Sequence, residues 1–429
     1  MRRTVVALGM IVALSDAAAG QGLRQKLELG LFSFGTCGEP LCLPALVTQG
    51  NVHGRHYIPS AEAGNQAIIS FLGSAIGSNV SNIPISATTS GVTYRFEGGA
   101  PVRTNVSAGP IFAERAQTLG RGRLLFGANA SSIRFNSLRG VPLSALDFNF
   151  THQDTDPPGE GNPSFENEFI TVRTSLDVNV LATIAFATYG LTDRIDIGVA
   201  VPFVSTSIDG TSLGQIVPFG PNPAHYFGGT AQSPILSAVA NVNGSASGIG
   251  DVAVRAKVNL SSSGSGTGLA LLGDVRLPTG KEDDFLGSGS TSARIVGILS
   301  SRYGDFAPHA NAGVAIRNGE DQTNALLATA GFDHLLRPWA TFAFDFISEW
   351  QMGDDNLTLP EPVTIDVPFR RTIYPSNIPD RRDDLLNASV GGKFSTPGGL
   401  TLILNALVPI NRGGLRATTL WTAGLEYGF

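Results

Sequence analysis

Twelve stretches of this chain, each about ten residues long, alternate apolar with polar residues, and that pattern at that length constrains the fold more than any other feature. Period-two alternation sends successive side chains to opposite faces of a strand, so each stretch offers one apolar and one polar face. In 248–260 the residues Val252, Val254, Ala256, Val258 and Leu260 share one face, while Asp251, Arg255, Lys257 and Asn259 share the other. The stretches are 123–136, 168–188, 195–203, 248–260, 269–277, 292–301, 306–317, 324–335, 340–351, 385–395, 400–409 and 415–429. Soluble sheets bury their apolar face as a core. A chain with this many charged faces opposite aliphatic ones instead fits a barrel with lipid outside and a wet lumen inside.

The connections support the same architecture. Short turns at 189–194, 302–305, 336–339 and 396–399 stand against long connections at 137–167, 205–247, 279–291 and 352–384. Periplasmic turns and extracellular loops of a bacterial outer-membrane barrel differ in length in this way. The expected fold is therefore all-β, a transmembrane antiparallel up-and-down β-barrel of about twelve strands. The number becomes fourteen if Leu146 to His152 and one amino-terminal segment also span. The closing strand ends Trp421, Ala423, Leu425, Tyr427, Phe429 on its apolar face, with Glu426 opposite; Trp421, Leu425, Tyr427 and Phe429 are expected to face lipid in barrel closure, pairing near 123–136.

Outside the alternating region, Arg2 and Arg3, an apolar run Val5 to Leu14, and Ala17-Ala18-Ala19 make the three-part pattern of a secretory signal over 1–19. No other run approaches the ~18 apolar residues of a membrane-spanning helix. The domain division that follows is signal 1–19, an amino-terminal segment 20–120 placed in the lumen as a plug or in the periplasm, and a barrel over 121–429. Within the segment, Ile68, Phe71, Leu72 and Ala75 have helical spacing. Cys37 and Cys42, with four residues between them, would form a small disulfide loop in an oxidising compartment.

Net charge −6 removes nucleic acid as a partner, because binding phosphate needs a basic field. The six histidines lack a nucleophile-elbow serine motif, Gly264-Ser-Gly-Thr-Gly268 lacks the lysine of a phosphate loop, and His53-Gly-Arg-His56 has no third ligand nearby. Catalysis is disfavoured, and neither a cofactor nor a metal is expected. What chemistry remains lies in the residues expected to line the lumen: Arg173, Asp177, Arg194, Asp196, Arg255, Lys257, Asp274, Arg276, Asp345, Glu349 and Lys393. In 168–188 this puts Ile170, Val172, Leu176, Val178, Val180, Ile184 and Phe186 outward and Arg173, Asp177 and Asn179 inward. Both signs alternate on neighbouring strands, so cross-strand pairing is the first role expected of them.

Tyr189-Gly-Leu-Thr-Asp-Arg-Ile-Asp-Ile-Gly-Val-Ala-Val-Pro-Phe203, Gly250-Asp-Val-Ala-Val-Arg-Ala-Lys257, Leu277-Pro-Thr-Gly280 and Gly287-Ser-Gly289 resemble the MetA-pathway of phenol degradation family of outer-membrane transporters. The likeness covers about 120–429. It implies a porin-like channel in the outer membrane that passes small, hydrophobic or aromatic molecules, with outer-membrane lipid, the solute and the barrel-assembly machinery as partners. A different class of function is a structural or surface-recognition barrel that binds partners through 205–247 and 352–384.

Overall fold

The computed structural model describes residues 21–34, 41, 59–88, 94–97, 100–103, 107–151, 168–218, 223, 225–230, 232–261, 266–319, 322–366 and 369–429. The signal at 1–19 and the pair Cys37 and Cys42 lie outside these residues.

Twelve antiparallel strands make the wall: β1 Leu124–Leu138, β2 Phe169–Gly190, β3 Ile195–Val217, β4 Ser237–Ile249 continued by Val252–Asn259, β5 Gly268–Leu277, β6 Ser292–Ser300, β7 Phe306–Arg317, β8 Ala325–Arg337, β9 Ala340–Gln351, β10 Leu385–Ser395, β11 Leu400–Pro409 and β12 Leu420–Gly428. Each pairs with the next, and β12 pairs with β1 from Trp421 opposite Ser132 to Gly428 opposite Leu125, so the sheet closes. Closure removes the edges that an open sheet would expose. The last backbone bonds, Phe429 N to Leu124 O and Leu124 N to Phe429 O at 2.9 Å each, fasten the carboxyl end to the start of β1.

A belt of exposed apolar side chains circles the wall: Leu181 on β2, Val199 and Phe203 on β3, Val254 on β4, Leu271 on β5, Ile295 on β6, Phe346 on β9, Leu402 on β11 and Trp421 and Leu425 on β12. Water would penalise such a belt, whereas hydrocarbon would not, so the protein is a transmembrane barrel of the outer-membrane type. Its short turns then mark the periplasmic end.

The wall is not of uniform height. Beyond Leu181, Phe203 and Ile249 the strands β2, β3 and β4 continue well past the belt, paired from Ser237 opposite Gln215 to Ile249 opposite Phe203. Residues 205–217 and 237–247, expected as loop, are strand; only 218–236 connects them, carrying a short hairpin of Gly228–Thr230 and Ser233–Ile235. Their outward residues include Ser205, Ser207, Asp209, Thr211, Asn241, Asn243 and Ser245, a mostly polar face suited to water above the membrane, with Leu213 and Val239 as its apolar members. Leu146–Thr151 pairs with Phe169–Thr174 at the free side of this extension and does not span, so the wall has twelve strands and not fourteen.

The extension inverts one expectation. In β2, Ile170, Val172, Leu176, Val178, Val180, Ile184 and Phe186 are buried inside, whereas the side chains of Arg173 and Asp177 point outward, 67% and 38% exposed. The reason is the N-terminal segment. Helix α1, Leu23–Gly30, and the chain after it set Leu27, Leu31, Phe32 and Phe34 against this inner face; Phe32 meets Phe148 and Phe150 edge-on at 5.3 and 5.1 Å. Helix α2, Pro59–Ser81, adds Ile68, Ile69, Leu72 and Ile76. The mouth is therefore packed like a soluble core, apolar within and polar without, while the belt below it is apolar without and, apart from residues such as Ile184 and Phe186 of β2, largely polar within.

Candidate luminal binding site

α2 runs inward from the mouth, where Asn65 Nδ2 donates to Asn149 O at 3.0 Å, to the barrel's mid-height. There its carboxyl end meets arginines: Arg276 donates to Ser81 O and Arg294 to the Asn82 side chain. Cations at a helix carboxyl terminus answer both the orphan carbonyls and the negative end of the dipole.

Residues 107–119 then descend through the lumen without a strand partner, so their backbone amides need side-chain acceptors. The wall supplies them: Ala108 N to Thr341 Oγ1 at 2.9 Å, Glu114 N to Asn311 Oδ1 at 2.9 Å, Ala116 N to Ser300 Oγ at 3.0 Å, and Leu119 N to both oxygens of Asp196 at 3.1 Å. Arg121 N reaches Asp193 Oδ1 in the periplasmic turn at 3.1 Å. Gly391 lies on β10 where the plug passes: a Cβ there would collide with the Ile111 side chain and the Leu404 carbonyl.

Ion pairs lock this thread. Glu114, 3% exposed, accepts from Arg255 at 3.0 Å and Lys257 at 3.3 Å, and from Thr88 N and Oγ1 at 2.8 and 2.7 Å. Burial alone would raise the Glu114 pKa, but Lys257, Arg255 and the Thr88 bonds outweigh it and hold the carboxyl below the ordinary carboxylate range. On the opposite wall Arg115 pairs with Asp333, and His309 Nε2 lies 2.6 Å from Asp345 Oδ1. Lys393 of β10 and Glu426 of β12 pair along the inner wall, over the intervening β11, at 3.5 Å. Among the described residues no three His, Cys, Asp or Glu side chains gather to hold a metal.

Above this locked layer and beside the end of α2 is a cavity of about 270 Å³. One side is apolar, with Ile133 and Phe135 of β1, Leu407 of β11, Leu420 of β12 and Ile83, Ile85 and Phe112 of the plug. The other is charged, with Arg255 of β4, Asp274 and Arg276 of β5, Arg294 of β6 and Glu349 of β9; Arg416 stands near the rim. Asp274 forms ion pairs with Arg255 at 3.2 Å and with Arg276 at 3.4 Å, while Glu349 pairs with Arg317 at 2.7 Å. The wall is also discontinuous here. Pairing of β11 with β12 stops at Leu407 opposite Leu420, Pro409 cannot donate, and Leu415–Ala417 pairs with β1 instead through a register shift. Pro409, Ala417 and Thr418 of this interruption line the cavity.

Of the residues expected in the lumen, Asp196, Arg255, Lys257, Asp274, Arg276, Asp345, Glu349 and Lys393 face inward, and four of them line the cavity. Arg173 and Asp177 do not: they lie on the outer face of the extension, Arg173 paired with Asp147 and Asp177 with Arg134. Arg194 is exposed in the periplasmic turn. Glu114, Arg115, Arg294, His309 and Asp333 were missed, the first two because nothing periodic marks a plug residue. Arg294 sits on an alternating stretch with its side chain on the polar face and could have been found by that rule.

Residues 149–359 match the model of the MetA-pathway of phenol degradation family. That stretch contains β2 to β9 and the charged side of the cavity. No curated protein matches the chain. Among solved structures, an outer membrane channel from Pseudomonas putida F1 aligns at TM-score 0.43 and 11% identity over 73% of this chain and 98% of that one. A Pseudomonas aeruginosa FadL homologue aligns at TM-score 0.34 and 11% identity over 71% and 90%. The P. putida toluene transporter TodX aligns at 0.31 and 9% over 72% and 89%.

Proposed function

We propose that this protein is an outer-membrane channel for small hydrophobic or aromatic molecules. The observation that carries this reading is the cavity: it is enclosed by the barrel, mainly apolar on one side, and bordered by an unpaired stretch of wall. The locked layer formed by Glu114, Arg115 and their partners blocks a straight aqueous path below it. A hydrophobic solute has no need of that path, since beyond the Leu407–Leu420 pair the wall beside the cavity is unpaired near the outer rim, where a lateral exit would meet the upper edge of the hydrocarbon belt. The family match over 149–359 supports the same class of solute.

The experiment is uptake of a labelled monoaromatic hydrocarbon by cells of a Gram-negative host with an intact lipopolysaccharide layer, with and without the chain. Faster uptake with the chain is expected, and a further rise when Thr88 to Glu114 contacts are broken is not required. Equal uptake across a panel of hydrophobic compounds would overturn the reading.

A further inference from the structure

The charges of the cavity are unevenly satisfied, and the excess is positive. Arg255 and Arg276 share Asp274, and Arg255 also holds Glu114. Arg294 and Arg416 have no carboxylate within 4.0 Å among the described residues. Arg294 donates only to the Asn82 side chain, and Arg416 donates to Leu386 O at 2.9 Å and Asn387 Oδ1 at 2.7 Å. The Arg416 Nε is buried with no hydrogen-bond partner. A guanidinium withdrawn from water without an anion is costly, and such a group in a concave site is suited to a carboxylate, which accepts from two of its N–H groups at once. Facing Arg294 is the apolar wall of Ile133, Phe135, Leu407 and Leu420, and Arg416 stands at the rim of that wall, in the segment 415–417 that pairs with β1.

From this two-sided lining we infer that the cavity selects monoanionic amphiphiles, molecules with one carboxylate and an apolar body, over neutral hydrophobes of the same size. The inference rests on the channel reading above and sharpens its substrate class. The apolar body lies against β1, β11 and β12. The carboxylate turns toward the arginine side, where an ion pair formed out of water is stronger than at the surface. A neutral alcohol of equal chain length gains the apolar contacts and leaves the arginines as they are. The side facing the cavity carries Glu114, Asp274 and Glu349 as well, and each of these already holds an arginine or lysine. They therefore tune the site against dianions without cancelling its excess.

The test compares octanoate with octan-1-ol on the full chain in lipid nanodiscs at pH 7, by calorimetric titration. Octanoate is expected to bind at least tenfold more tightly. Arg294→Gln is expected to abolish the octanoate preference and Arg416→Gln, at the rim, to reduce it, both read as the ratio of octanoate to octan-1-ol affinity; Arg294→Lys, which keeps the charge, retains the preference. Heat-modifiable electrophoretic mobility confirms that each variant is a folded barrel, and should Arg294→Gln fail that check, the Arg416→Gln and Arg294→Lys results decide. Equal affinity for the two compounds in the native chain, or a preference that survives both glutamine variants, overturns the inference. Uptake of a neutral hydrocarbon in cells, measured in parallel, reports on the channel alone: uptake without carboxylate preference removes the inference and leaves the channel, whereas absence of uptake removes the channel.

Discussion

Glu114→Gln should release the lower plug while leaving the barrel intact. The side chain is 3% exposed, and the substitution keeps its shape but removes the anion that answers Lys257 at 3.3 Å and one of two that answer Arg255. Breaking a buried ion pair by removing one partner costs about 3–5 kcal/mol, because a charge stays buried without compensation. Arg255 keeps Asp274, and Lys257 still feels Asp196, so the lower figure applies. A loss of about 3 kcal/mol corresponds to roughly a hundredfold shift toward the undocked plug. The wall itself loses nothing, since its ladder is backbone. The assay is planar-bilayer conductance together with protease access to 107–119: the variant should show more frequent openings and faster cleavage, with unchanged heat-modifiable mobility. Conductance and cleavage equal to the native chain would refute the assignment of Glu114 as the lock. The same group sets a pH dependence. Its folded pKa is depressed, so its stabilisation is complete above the ordinary carboxylate range and is lost as pH falls through the lower folded value. Acid should therefore loosen the plug only below about pH 4.

Three other outcomes are expected. Val199→Arg on the belt should cost about 2–4 kcal/mol of barrel stability in lipid, whereas Asn243→Arg on the outer face of the extension should be close to neutral; denaturant titration in lipid vesicles separates the two. Phe32→Ala should destabilise the mouth by about 3–5 kcal/mol, seen as amide exchange in α1 and the extension with the belt unaffected. Asp383→Asn breaks the paired bonds from Arg139 Nε and Nη2, both 2.8 Å, that tie the loop before β10 to the turn after β1, and should raise proteolysis of 352–384 several-fold.

The wall was readable in the sequence because lipid and lumen impose opposite demands on alternate residues, and all twelve strands carry that imprint. It misled at Glu168 to Val180. There the alternation is equally regular, but alternation alone carries no sign: Val172, Val178 and Val180 face inward because α1, α2 and the chain between β1 and β2 give them an apolar partner. The clue lay in the outward residues of the continuing strands, Ser205, Ser207 and Asp209, which no bilayer would accept, and these were read as loop for want of an apolar face. The site was legible only by its wall half. Arg255, Asp274 and Arg276 announce themselves as charges on strands, while Glu114 and Phe112 come from a segment whose course depends on where its amides find acceptors. That is a property of the assembled barrel and not of the segment.

The two halves of the molecule explain each other. A lumen lined with Asp196, Lys257, Asp333, Asp345 and Lys393 could not stay dry without the plug, and the plug's unpaired amides could not stay buried without Thr341, Asn311, Ser300 and Asp196. Polarity below the cavity is thus spent on holding the plug. Above it, apolar strands hold α1 and α2. At the level between these layers, where α2 ends and β11 parts from β12, apolar and charged walls face one another across open space. On the channel reading proposed above, a solute there would meet a locked floor and, beyond the Leu407–Leu420 pair, an interrupted side wall, which makes that interruption, more than the plug, the place to test for its exit.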